Sequence, residues 1–180
     1  MQLYKGRPNT DENRQAVEID TYNFFDELGI EYFRVDHEQA ETMEACEQID
    51  KALGVKMCKN LFLCNRQKTE FYLLMMPGDK SFKTKTLSHA LGISRLSFAD
   101  ESFMLEFLNI HPGSVSVMGL MNDKEKKVKL IIDREVINFD NVGCHPCVNT
   151  SSLKISTDDL LNKFLKAINH TPVILDMPQE

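Results

Sequence analysis

Three groups of residues in this chain of 180 have types and spacing that could do chemistry. The first is Ile110-His-Pro-Gly-Ser-Val-Ser-Val-Met-Gly-Leu120, where Gly113 and Gly119 bracket small and β-branched residues and Pro112 marks a break. Such a stretch bares main-chain N–H groups, which suits a loop that grips an oxygen-rich ligand through its backbone. A tight turn into a buried strand would read the same way. The second group is Lys59-Asn60, just before the apolar run Leu61-Phe62-Leu63. A lysine there can hold a phosphate as a compact point charge, or simply discourage pairing at a strand edge. The third is Gly143-Cys-His-Pro-Cys-Val-Asn149, in which Gly143 and Pro146 restrain His145 as a positioned hydrogen-bonding group.

Other chemistries fit poorly. Cys144-x-x-Cys147 supplies two metal ligands, but no second pair stands at zinc-finger spacing, and His37, His89, His111 and His170 are scattered. A redox C-x-x-C normally opens a helix, whereas Val148-Asn-Thr-Ser-Ser-Leu-Lys-Ile reads as strand. Gly113-Ser-Val-Ser-Val117 fails the Gly-x-Ser-x-Gly pattern at its last position, and no phosphate-binding glycine loop or His-Glu-x-x-His is present. Lys80, Lys83 and Lys85 form one basic cluster and Lys124, Lys126, Lys127 and Lys129 another, with acids such as Glu125 interleaved. Either would touch phosphates without reading bases.

The elements that must position these residues follow from hydrophobic spacing. Residues 1–9 read as a loose start. A helix is expected over about 11–28, with Val17, Thr21, Phe24, Phe25 and Leu28 on one side. A short strand follows over 31–37, then a helix capped by Thr42. Asn60–Cys64 and Glu70–Met76 predict a hairpin, closed by Pro77-Gly78-Asp79. Short helices over Thr84–Leu91 and Asp100–Leu108 flank a strand at Arg95–Phe98. Val128–Ile132 and Thr150–Ile155 are the remaining strands, and a last helix runs from Ser156 to about Asn169. Leu28-Gly-Ile, Leu53-Gly-Val and Leu91-Gly-Ile repeat one helix-stop signal. Helices and strands intermingle without strict βαβ alternation, which predicts an α/β fold: a mixed, mainly antiparallel sheet with helices packed on it, in a single domain.

The net charge of −6 argues against general attraction to nucleic acid, so any such contact would use a local basic patch. Five cysteines at irregular spacing do not make a disulfide framework. No apolar run approaches the roughly 20 residues of a membrane span, and Met1–Thr10 lacks the apolar core of a secretory signal, so a cytoplasmic protein is expected.

Four segments in order, Lys59-Asn-Leu-Phe-Leu, Gly113-Ser-Val-Ser-Val-Met-Gly-Leu, Val128-Lys-Leu-Ile-Ile-Asp and His145-Pro-Cys-Val-Asn-Thr, resemble the prolyl-tRNA editing domain family. The resemblance covers about residues 30–168, and the N-terminal helix is similar to that of free-standing deacylases that remove alanine from mischarged proline tRNA. It implies one editing domain over 1–180 and an aminoacyl-tRNA deacylase with neither metal nor cofactor. The partners it implies are the 3′ end of aminoacyl-tRNA and, further off, prolyl-tRNA synthetase; no membrane is involved.

By the same resemblance Lys59, Gly113 and His145 form the catalytic set, with Lys59 on the 3′-terminal nucleotide, Gly113 on the aminoacyl carbonyl and His145 beside the ribose. Asn60, Phe33, Val35, His37, Ser114, Val115 and Ser116 would bind substrate, with Phe33, Val35 and His37 lining the amino-acid pocket. The family loop reads Gly-x-x-x-Pro, and this chain has Val117 at the proline, which implies a shifted pocket or a looser loop. The alternatives carried with this reading are a non-catalytic module sensing tRNA or an amino acid, and a deacylase for another small residue such as cysteine.

Overall fold

A computed structural model describes residues 1–179. In chain order the elements are β1 (Leu3–Lys5), α1 (Ala16–Leu28), β2 (Tyr32–Asp36), α2 (Met43–Leu53), β3 (Cys58–Asn65), β4 (Phe71–Pro77) and α3 (Thr84–Leu91). Then come β5 (Leu96–Phe98), α4 (Glu101–Leu108), a 3₁₀ turn (Val117–Asn122), β6 (Val128–Asp133), α5 (Arg134–Ile137), β7 (Asn141–Cys144) and β8 (Ser151–Ser156). The chain closes with α6 (Thr157–Asp159), a π-helical segment (Leu160–Phe164), α7 (Leu165–Ala167) and β9 (Val173–Leu175).

The strands form two sheets instead of the one expected. One is antiparallel throughout, in the order β1-β2-β8-β7; the other is mixed, in the order β5-β3-β4-β6-β9. The β3–β4 hairpin pairs Cys58 with Pro77 through Cys64 with Phe71, while β6 and β9 add parallel to it. Pairing across the molecule is mainly antiparallel, as the intermingled pattern implied.

Alternation explains the layering. On β4, Phe71, Leu73 and Met75 face the larger core, which the two sheets share with Tyr22, Phe25, Val142, Leu153 and Phe164. Tyr72, Leu74 and Met76 face a smaller core with Leu87 of α3 and Leu96 of β5. Both faces of β4 are therefore buried, which accounts for its unbroken apolar run.

Three strands escaped the pattern. Leu3–Lys5 pairs with β2, so the start of the chain is not loose. Asn141–Cys144 pairs with β8, and Val173–Leu175 with β6. Each has three or four residues, too few for alternation to register. The helix stops did register: the N–H groups of Ile30, Val55 and Ile93 reach back to the carbonyls of Phe25, Asp50 and Ser88. The Thr42 hydroxyl caps α2 by accepting from the Ala45 N–H at 3.1 Å.

The two sheets meet closely at Met57, which bridges to Gly143. A Cβ on Gly143 would lie 2.9 Å from Met57 Sδ, and one on Gly78 only 2.2 Å from the Met57 carbonyl oxygen. Both positions need a bare backbone for the sheets to approach. Gly78→Ala is therefore expected to destabilise the fold by about 1–3 kcal/mol, an overpacking cost read from urea unfolding midpoints.

Candidate active site

The ends of these elements surround a cleft of about 390 Å³, a size that takes a small ligand. One wall is α2, with Cys46, Ile49 and Asp50; the start of β3 adds Cys58 and Lys59. Gly113, His145, Asn149, Ser152 and His37 close the other side. Residues as far apart in the chain as His37 and Ser152 thus meet in one cavity.

His145 follows β7 in a turn where Cys147 takes a left-handed φ of 64°. Its Nδ1 lies 2.9 Å from the Ser151 carbonyl. A carbonyl only accepts, so Nδ1 carries the proton and Nε2 keeps a lone pair. Burial lowers the His145 pKa below its ordinary value, and the neighbouring His37 lowers it further, against a smaller opposing effect of the Ser151 bond. The two rings are 6.5 Å apart. His37 is fixed in the same way: its Nδ1 donates to the Glu38 carbonyl at 2.7 Å, and its Nε2 accepts from the Ser152 hydroxyl at 2.8 Å.

Beneath the histidines lies a charged hub. Burial works against the Asp36 carboxylate, but Arg14, Arg34 and the Ser151 hydroxyl outweigh it and hold its pKa well below the carboxylate range. Arg14 makes a fork to it at 3.0 and 2.9 Å. Arg14 also donates to Glu18 of α1 at 2.8 Å, so Arg14, Asp36 and Ser151 together couple α1 to β8, the strand beside both histidines.

Lys59 lines the cleft, and its ammonium donates to the Lys80 carbonyl at 2.6 Å. Lys80 is itself buried between Asp133, at 2.8 Å, and Glu135, at 3.1 Å. Lys80 therefore steadies Lys59 and is not a free surface cation. Elsewhere in the basic clusters, Lys127 pairs with Glu125 and Lys129 with Glu70.

Gly113 takes φ 85°, where a side chain would be strained, and stands opposite Asn149. Ser114, Val115 and Ser116 lie behind it. Ser114 and Ser116 are buried and Val115 packs on the main core. The Ser116 hydroxyl donates to the His145 carbonyl at 2.6 Å and accepts the Met118 N–H at 3.2 Å. Asn60 also stands behind the wall, where its Oδ1 accepts the Val117 N–H at 3.0 Å. Proline could not make that bond, so valine fastens the loop to β3 by a means the family residue lacks.

Of Phe33, Val35 and His37, expected at the pocket, the structure brings only His37, the residue just after β2, to it. Val35 is completely buried, and Phe33 lies under the Lys154 ammonium at 5.0 Å. Sequence reasoning missed Asp50 and Ser152, which carry no motif, and Asn149, which stood inside the His145 segment without a role assigned to it. Asp50 looked like any polar residue on the solvent side of a helix.

The C-x-x-C cysteines are fully buried, and burial pushes Cys147 up to about 12 and Cys144 further. Both act as core thiols. Cys58 is likewise pushed up to about 12.

Residues 37–163 match the model of the aminoacyl-tRNA editing domain. The chain belongs to this family. It is 33% identical over 146 residues to the prolyl-tRNA editing protein ProX of Acetoanaerobium sticklandii, covering 81% of this chain and 88% of that one. It is also 33% identical over 154 residues to prolyl-tRNA synthetase associated domain-containing protein 1 of Danio rerio, covering 84% and 83%. A crystal structure of a candidate trans-editing enzyme for prolyl tRNA synthetase superposes with a TM-score of 0.66 at 12% identity, over 92% of this chain and 99% of that one. That likeness shows the shared fold. The family carries an activity class with it, the deacylation of aminoacyl-tRNA, which is an ester hydrolysis. Among the described residues no helix is long and apolar enough to cross a membrane.

Three outcomes follow from this editing-domain geometry. Asn60→Ala leaves the buried Val117 N–H without its acceptor and is expected to cost about 1–3 kcal/mol in urea unfolding. If a neutral His145 serves the reaction, kcat/KM falls only as pH drops through a value below the ordinary 6.5 of histidine. His37→Ala removes the neighbour that lowers the His145 pKa further, so the acid limb of that profile should move up in pH.

Proposed function

We propose that the protein works in trans as a single editing domain that hydrolyses alanine from tRNA charged for proline. The observation that carries this reading is the convergence of Lys59, Gly113 and His145 on one small cleft.

An aminoacyl ester is already activated, so the catalyst has to place water and stabilise the developing oxyanion. In this reading the Gly113 main chain faces the aminoacyl carbonyl and Lys59 holds a phosphate of the 3′-terminal nucleotide. The bare Nε2 of His145 accepts from the ribose hydroxyl that assists the attack. Asn60, Ser114, Val115 and Ser116 serve by holding Gly113 in place. No step so drawn calls on a metal or a nucleophilic side chain. Choice between amino acids is steric, as in a second-sieve editing site that admits alanine and excludes proline. The partners are the 3′ end of aminoacyl-tRNA and, as the name of the zebrafish relative suggests, prolyl-tRNA synthetase, which would supply the mischarged substrate. Such a partnership places the protein in the cytoplasm.

Incubation with alanyl-tRNA bearing a proline anticodon should release alanine well above the uncatalysed rate, and no release overturns the proposal. Lys59→Ala should cut kcat/KM at least about tenfold by removing a positioning contact; unchanged kinetics would remove Lys59 from the site.

A further inference from the structure

The substrate of the proposed reaction carries a charge that the three family residues do not answer. An aminoacyl ester has an α-ammonium group, and Lys59 would repel it. We infer that Asp50 is the group that receives the α-ammonium of the bound aminoacyl ester. This inference rests on the deacylase reading and deepens it.

Asp50 is the single carboxylate among the residues lining the cleft. It sits in the last turn of α2, where the helix dipole also favours a cation. Its Oδ1 accepts the Met57 N–H at 3.1 Å, which fixes the side chain. Among the described residues Oδ2 has no hydrogen-bond donor. Lys56, whose charge favours the carboxylate, has its own ammonium on Asp79 at 2.6 Å. Half-buried Asp50 thus bears a desolvation penalty, which raises its pKa and which its present contacts do not offset. A buried charge in that condition gains from a cationic ligand.

The placement also orders the substrate. Lys59 at the start of β3 would take the phosphate and Asp50 on α2 the ammonium. Gly113 and His145 line the same cleft and would take the ester. Ile49 and Cys58, beside Asp50, would then bound the side chain of the amino acid.

The test compares two esters on the same proline tRNA: alanyl, and lactyl, in which a hydroxyl replaces the amine at nearly equal size. At pH 6.5 the α-amino group is charged, its ordinary pKa being about 7.7–8.0. The wild type should prefer alanyl over lactyl in kcat/KM by at least about tenfold, the size of one charged hydrogen bond. Asp50→Asn keeps the oxygen that accepts from Met57 and removes only the charge. It should unfold at a urea midpoint no lower than the wild type's and lose most of that preference, chiefly by slowing alanyl hydrolysis. An undiminished preference in Asp50→Asn overturns the assignment of Asp50. So does equal hydrolysis of both esters by the wild type, and in either case the deacylase reading stands. A wild type that hydrolyses neither ester overturns the deacylase reading and this inference with it.

Discussion

Three hydrogen bonds in line hold the cleft in shape. Asn60 Oδ1 takes the Val117 N–H, the Ser116 hydroxyl donates to the His145 carbonyl, and His145 Nδ1 donates to the Ser151 carbonyl. Together they join β3, the Gly113 loop and the turn between β7 and β8, three pieces far apart in the chain. A loop that works through backbone donors has no side chain with which to find its own place. It depends on neighbours to aim it, and here each neighbour is a buried or half-buried polar group with its partner in reach. The two sheets approach at Met57, between Gly78 and Gly143, and Met57 and Gly78 line the same cleft.

Val117 shows how a family pattern can be met by other means. Proline would restrict φ at the first residue of the 3₁₀ turn and would have no N–H to give. Valine gives up the restriction and gains a hydrogen bond to Asn60. Conformational restraint is thus exchanged for a contact, and the loop stays tied to β3. The looser loop implied by the missing proline is not what the structure has.

Much of the fold was legible because most elements are long enough to show a period. The β3–β4 hairpin, the apolar stripe of α1 and the helix stops at Gly29, Gly54 and Gly92 each declare themselves over several residues. The edge strands Leu3–Lys5 and Val173–Leu175 do not, since three residues hold no alternation and their pairing is decided by the sheets they join. The division into two sheets was hidden for a similar reason: Gly143 and Cys144 read as loop until β8 lies beside them. At the site, Lys59, Gly113 and His145 were legible through the motifs around them. Asp50 and Ser152 were not, because a lone polar residue carries no pattern, and Asn149 stood inside the His145 segment with nothing to single it out. Phe33 and Val35 were expected at the pocket from their strand, but packing, which sequence does not reveal, sends one under Lys154 and the other into the interior.

We propose that this cleft hydrolyses a small aminoacyl ester and chooses it by size. The most direct measurement loads alanine, serine, cysteine and proline in turn on one proline tRNA and follows release of each by the unmodified protein. The alanyl ester should be hydrolysed fast, and the prolyl ester should survive at its spontaneous rate. Prolyl ester lost as fast as alanyl would contradict the proposal.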